Sequence, residues 1–161
     1  ADAFRKMIVS KVSVTQSGNS VYEIQIEGLK IVGMKMVLCS KEHAMKHYTE
    51  DITDRRGAHV RNKLINFLTE HPVIAVCLEG IEAVEVTRKI VGSTEPKTAQ
   101  PGTIRGDYAH MSYARADSSE KALPNLIHAS GNKEDAKSEV GLWFRPEELY
   151  SYKTVHDIHV L

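Results

Sequence analysis

Apolar positions along the chain change period several times, and those changes divide it into alternating strands and helices. Met7 to Val12 alternates loosely and is rich in β-branched residues, which predicts a first strand. Thr15-Gln16-Ser17-Gly18-Asn19-Ser20 carries turn chemistry, and Val21 to Glu27 is too short to assign. From Leu29 to Val37 apolar residues alternate with Lys30, Gly33 and Lys35, as in a half-buried second strand. Ser40 is the natural N-cap of a short amphipathic helix, Lys41 to Thr49. Asp54 to Gly57 reads as a charged turn, and Ala58 to Glu70 places Val60, Leu64, Phe67 and Leu68 on one helical face. Pro72 ends that helix and opens Val73-Ile74-Ala75-Val76-Cys77-Leu78, a nearly continuous apolar run with the look of a central strand. Ile81 to Val91 is amphipathic again, closed by Gly92 as a C-cap, and Ser93 to Gln100 is a polar loop around Pro96.

The stretch that follows organises the rest. Pro101-Gly102-Thr103-Ile104-Arg105-Gly106-Asp107-Tyr108 leads into Ala109 to Pro124, mostly small and polar, which reads as a surface loop. Asn125-Leu126-Ile127-His128-Ala129-Ser130 is a short apolar strand carrying a histidine. Gly131 to Val140 has the Lys, Glu, Asp and Ala content of an exposed helix, ahead of Gly141-Leu142-Trp143-Phe144. No repeat or low-complexity tract interrupts the alternation. The expected fold is an α/β sandwich of four strands with helices packed over the sheet, in one domain spanning residues 1–161.

Composition narrows the chemistry. Twenty-one Lys and Arg face twenty-one Asp and Glu, so no global positive field exists to hold a nucleic-acid backbone, and a phosphate ligand must be gripped locally. Cys39 and Cys77 lie in apolar contexts without paired spacing and read as buried thiols in a reducing compartment. Neither a signal-peptide pattern nor an 18-residue apolar run is present, so the expected location is cytoplasmic, away from membranes.

An imidazole delivered by a buried strand, with Glu139 one helix away and Arg105 on the preceding loop, suits phosphoryl chemistry. The G-x-x-x-x-G-K-[ST] string is missing, so side chains must bind the phosphates. Read singly, His128 is a hydrogen-bonded core histidine, Arg88 and Arg105 are surface cations and Glu139 is a helix-surface carboxylate. His43 and His47 have the i, i+4 spacing of metal ligands but no third ligand beside them; they and His59, His71, His110, His156 and His159 read as solvated.

Taken together, Pro-Gly-Thr-Ile-Arg-Gly-Asp-Tyr, then Asn-Leu-Ile-His-Ala-Ser, then Glu139 and Leu-Trp-Phe resemble the nucleoside diphosphate kinases, over about Gly28 to Tyr152. The resemblance implies a ferredoxin-like βαββαβ core with a four-stranded antiparallel sheet. It implies ping-pong transfer of the γ-phosphate from a nucleoside triphosphate to a nucleoside diphosphate through a phosphohistidine at His128. Glu139 would orient the ring with support from Ser130. Arg88, Thr94, Arg105 and Asn125 fall at phosphate or sugar contacts, Tyr48 falls near the phosphates, and Arg61 stands where the family stacks an aromatic on the base, with Val60 and Leu64 beside it. Mg²⁺ would be held chiefly by the nucleotide's own phosphates. A homo-oligomer, hexamer or tetramer, is implied, with Ser93 to Pro101 and the Leu29 to Val37 strand at contacts. One departure stands out: Lys11 matches the family's phosphate-reaching lysine, but Val12 and Ser13 replace the Pro-Asp after it. A second reading follows from that change, a nucleotide-binding or assembly paralogue of the same fold with weak or no transfer.

Overall fold

The computed structural model of the chain describes residues 4–11, 28–119 and 122–154. The Thr15–Ser20 turn, the Val21–Glu27 segment and His156 and His159 lie outside the described residues, as does the helix expected between the first two strands. Four strands, β1 (Phe4–Lys11), β2 (Lys30–Val37), β3 (Val73–Gly80) and β4 (Ile127–Ala129), form one antiparallel sheet in the order β2-β3-β1-β4. That order is the ferredoxin-like one expected.

Strand β3 explains the sheet's burial. Its Val73, Ala75 and Cys77 enter one core with Ile65, Leu68 and Trp143, while Val76 and Leu78 enter a second core on the other face with Val91, Ile104 and Ile127. Side chains alternate along a strand, so a strand apolar at nearly every position must be covered on both faces. Cys39 and Cys77 are both buried.

Helices α1 (Lys41–His47), α2 (Asp51–Arg56) and α3 (Ala58–Thr69) precede β3; α4 (Ala83–Val91), α5 (Ile104–Tyr108) and α6 (Tyr113–Ser118) precede β4, and α7 (Lys133–Trp143) follows it. Ser40 caps α1 as expected, its hydroxyl accepting from the His43 N–H at 3.1 Å. The charged stretch expected as a turn at Asp54–Gly57 is the end of a short helix, stopped by Gly57 at φ 89°. The segment expected as a surface loop contains α6, whose Ala116 is buried: small residues let a short helix sit close. Helix α7 runs past Val140 to Trp143, because Trp143 is a core residue and an isolated Gly141 costs a helix only about 1 kcal/mol. Gly92 ends α4 at φ 84°, where a Cβ would lie 2.4 Å from Thr103 Oγ1. Among the described residues no helix is long and apolar enough to cross a membrane.

Candidate active site

The short strand β4 brings one histidine to the edge of a cleft, and the turn before it sets the angle of entry. The Ile127 N–H donates to the Asn125 carbonyl at 2.8 Å around Leu126, which holds φ 69°. Such a γ-turn with positive φ at a leucine stores backbone strain and persists only when its surroundings impose it. Arg105 imposes it. Its guanidinium donates to the carbonyls of Asn125 (3.2 Å), Gly92 (3.0 Å) and Ile127 (2.6 Å), tying the α4 exit and the α5 loop to both sides of the turn. Burial, and then the charge of Arg88, pull the Arg105 pKa down to about 10, which leaves it cationic at neutral pH. Arg88 reaches the Ser130 carbonyl at 3.4 Å, and among the described residues neither arginine pairs with a carboxylate. Two neighbouring cations without a counter-ion favour an anionic ligand.

On β4 the ring of His128 is 29% exposed, and its Nε2 lies 2.8 Å from Oε1 of Glu139 on α7. The Ser130 hydroxyl donates to the other carboxylate oxygen. Burial opposes ionisation of Glu139, but the hydrogen bond and charge of His128, with the Ser130 bond, outweigh it and hold the carboxyl below the ordinary carboxylate range. An ionised Glu139 accepts the Nε2 proton of His128. The lone pair of that imidazole is then on Nδ1, which has no hydrogen-bond partner among the described residues.

Tyr48, Arg88, Thr94, Arg105, Asn125 and His128 all line one cleft of about 780 Å³, a size suited to a small-molecule ligand. Asn125 is steadied there by donating from Nδ2 to the Thr94 carbonyl at 3.3 Å. Burial, and then the charge of Glu139, push the Tyr48 phenol up, so it remains a neutral donor. Glu139 and Ser130 stand behind His128. Lys11 ends β1 two residues past Val9, the cross-strand partner of His128.

Arg61 departs from expectation. It is buried under α1, its Nε donating to the Tyr48 carbonyl at 2.7 Å and its Nη1 paired with Glu50 at 2.7 Å, and it does not line the cleft. The phase of α3 causes this: Arg61 and Ile65 face inward, while Val60, Leu64 and Phe67 lie one step round the helix and line the cleft together with Leu68. The reading of His47 is likewise overturned. Its side chain is fully buried, it accepts the Trp143 indole N–H on Nδ1 at 3.2 Å, and its ring stands edge-on to that of His128 with centroids 4.6 Å apart. Its i+3 spacing from the buried Ala44 was the available signal. Arg55 and Arg56, from what reads as a charged turn, and Lys63 on α3 add positive charge to the cleft lining.

Comparison with known proteins agrees with this geometry. The nucleoside diphosphate kinase family profile matches residues 7–149. A nucleoside diphosphate kinase of Borreliella burgdorferi is 42% identical over 137 residues, covering 84% of this chain and 82% of that protein. One from Pyrococcus furiosus is 45% identical over 135 residues, covering 84% of this chain and 77% of the relative. Among solved structures, a transition-state mimic of the Borrelia burgdorferi enzyme with bound vanadate and ADP superposes with a TM-score of 0.93 at 36% identity, covering 98% of this chain and 96% of that one. The Halobacterium salinarum enzyme in complex with CDP gives a TM-score of 0.83 at 28% identity over 99% of each chain. With the family profile covering most of its length and its relatives matching across most of theirs, the chain belongs to the nucleoside diphosphate kinase family and is a phosphotransferase acting on nucleotides.

Proposed function

We propose that this enzyme transfers the γ-phosphate through Nδ1 of His128. The observation that carries the reading is the pinning of Nε2 by Glu139, which leaves the other ring nitrogen as the nucleophile at the cleft. In the first half-reaction the Nδ1 lone pair attacks the γ-phosphorus. The bond to the bridging oxygen breaks, and the nucleoside diphosphate leaves with that electron pair. The imidazole becomes a phosphorylated imidazolium whose Nε2–H is held by Glu139, and Ser130 keeps the carboxylate in place. Reversal with a second diphosphate regenerates the free histidine.

Arg88 and Arg105 neutralise charge on the transferred group, Thr94, Asn125 and Tyr48 position phosphates and sugar, and Lys11 reaches the γ-phosphate from the end of β1. Val60, Leu64 and Phe67 give the base an apolar surface in place of Arg61. Mg²⁺ enters as part of the nucleotide substrate and neutralises phosphate charge. The one group of three metal-capable side chains among the described residues is rich in nitrogen, a poor match for this oxygen-seeking ion, which supports its being held by the phosphates. Met34, Met36 and Leu38, 58%, 64% and 67% exposed on and beside the edge strand β2, support a homo-oligomer, hexamer or tetramer. The two buried cysteines agree with a cytoplasmic setting.

The test is incubation with radiolabelled nucleoside triphosphate and Mg²⁺. The expected label is acid-labile, alkali-stable, absent from His128→Ala and discharged by nucleoside diphosphate. Nucleotide binding without a label on His128 would overturn the assignment and return the chain to the reading of a non-transferring paralogue.

A further inference from the structure

We propose that His47, His128 and Glu139 form a binding site for a zinc-class divalent cation, and that its occupation holds the enzyme in a form unable to take up the phosphoryl group. Ligand atoms of the three side chains lie within 4.8 Å of one another. Oε1 of Glu139 is 2.8 Å from Nε2 of His128 and 4.0 Å from Nδ1 of His47. Two imidazoles and a carboxylate are a zinc donor set, leaving a fourth position for water, and zinc–nitrogen bonds of roughly 2.0–2.1 Å ask the His128–Glu139 pair to open slightly and His47 to move inward. The same donors rank Mg²⁺ far behind, so the nucleotide's own metal does not compete for them.

A second observation points the same way. His47 is fully buried, and among the described residues its Nε2 has no hydrogen-bond partner. The ring turns its other nitrogen, Nδ1, toward the carboxylate, 4.0 Å from Oε1 of Glu139, and that is the atom it offers a metal. Burial, and then the charge of His128, depress the His47 pKa to about 3, so this ring is neutral and ready as a ligand across the physiological range.

Binding has defined consequences. The metal takes the Nε2 lone pair of His128, and the proton of that nitrogen leaves to solvent. It takes Oε1 of Glu139, so the contact that orients the ring is gone, and it draws electron density from Nδ1. At His47 it displaces the Trp143 indole N–H from Nδ1, which changes the environment of the one tryptophan in the chain. The inhibition rests on His128 being the phosphoryl acceptor; the binding does not.

The experiment titrates Zn²⁺ into chelator-stripped protein without nucleotide, following Trp143 fluorescence and calorimetric stoichiometry. The phosphotransfer rate is then measured after free zinc has been removed. One zinc per chain is expected, with a fluorescence change that equal Mg²⁺ does not produce. Binding should weaken about 100-fold or more in both Glu139→Gln and His47→Gln, since even losing a supporting group outside a metal's ligand set costs 10–100-fold. Zinc-loaded enzyme should transfer at least tenfold more slowly and recover on adding EDTA. Unchanged affinity in Glu139→Gln, or no stoichiometric binding to the wild type, overturns the site. Should His47→Gln fail to fold by circular dichroism, the Co²⁺ spectrum decides with Glu139→Gln: a thiolate charge-transfer band would move the metal to a cysteine and overturn the site. Zinc-loaded enzyme at full speed overturns the inhibition. Metal-free protein that transfers no phosphate would defeat the proposed catalytic role of His128 while the binding result stands on its own.

Discussion

Trp143 donates its indole N–H to Nδ1 of His47 at 3.2 Å, which places the proton of that buried imidazole on Nε2 and sets the ring edge-on beside His128. Protonating Nδ1 would break this bond and leave a cation without water. The His47 pKa is accordingly about 3 in the folded protein, lowered first by burial and then by His128, against about 6.5 unfolded. A depressed histidine pKa means that the unfolded chain binds more protons between these values. Stability therefore rises with pH through that window and is lost as pH falls. From pH 6.5 to 4.5 this one group removes about 2–3 kcal/mol, at about 1.4 kcal/mol per unit. Urea midpoints measured across that range should show the decline in the wild type and a clearly flatter acid limb in His47→Phe. Equal slopes would mean that other groups carry the acid sensitivity.

Glu139 supplies charge as well as orientation. Glu139→Gln keeps the length of the side chain and an oxygen for the Nε2–H, but it cannot offset the imidazolium formed on transfer. Phosphorylation of His128 should slow about 100-fold or more, with nucleotide affinity within a fewfold of wild type, read by single-turnover labelling. A rate within a factor of about two would show that the carboxylate only fills space.

The two arginines should separate in their effects. Arg105 binds three carbonyls around the strained Leu126 turn, whereas Arg88 makes one longer contact to Ser130. Arg105→Lys, which cannot reproduce the fork, is expected to cost about 3 kcal/mol of stability along with transfer. Arg88→Ala should leave the melting temperature within a few degrees while kcat/KM falls about 100- to 1000-fold. Thermal unfolding beside steady-state kinetics checks both.

The strengths and gaps of sequence reading fall along physical lines. Strand β3 is legible because burial on both faces leaves a continuous apolar run, and Ser40 and Gly92 because caps need those residue types. Most cleft residues are legible only as a family pattern, since a lone arginine or threonine says nothing about where the chain will fold it. The phase of α3 is not legible. Val60, Leu64 and Phe67 form as good an apolar stripe as Ile65 and Leu68 do, and only tertiary packing decides that the first set lines a cleft while Arg61 goes inward to the Tyr48 carbonyl. His47 is hidden for a related reason: a polar residue signals exposure unless its partner is known, and Trp143 lies 96 residues away.

Lys11 tests how far a changed strand exit matters. Pairing of β1 with β4 sets Val9 opposite His128 and ends β1 at Lys11, two residues on, at the same end of the sheet. That placement comes from strand register and does not depend on the Pro-Asp that Val12 and Ser13 replace. Lys11→Ala should therefore lower the rate of His128 phosphorylation about 100-fold or more, as loss of a transition-state charge contact does, and change diphosphate affinity only a fewfold. Lys11→Arg should recover part of the rate, because the charge returns with a different reach. Rapid-quench labelling of His128 beside equilibrium binding of nucleoside diphosphate separates the two effects. Should Lys11→Ala react as fast as the wild type, the ammonium does not reach the phosphoryl group, and Arg88 and Arg105 must neutralise its charge without it.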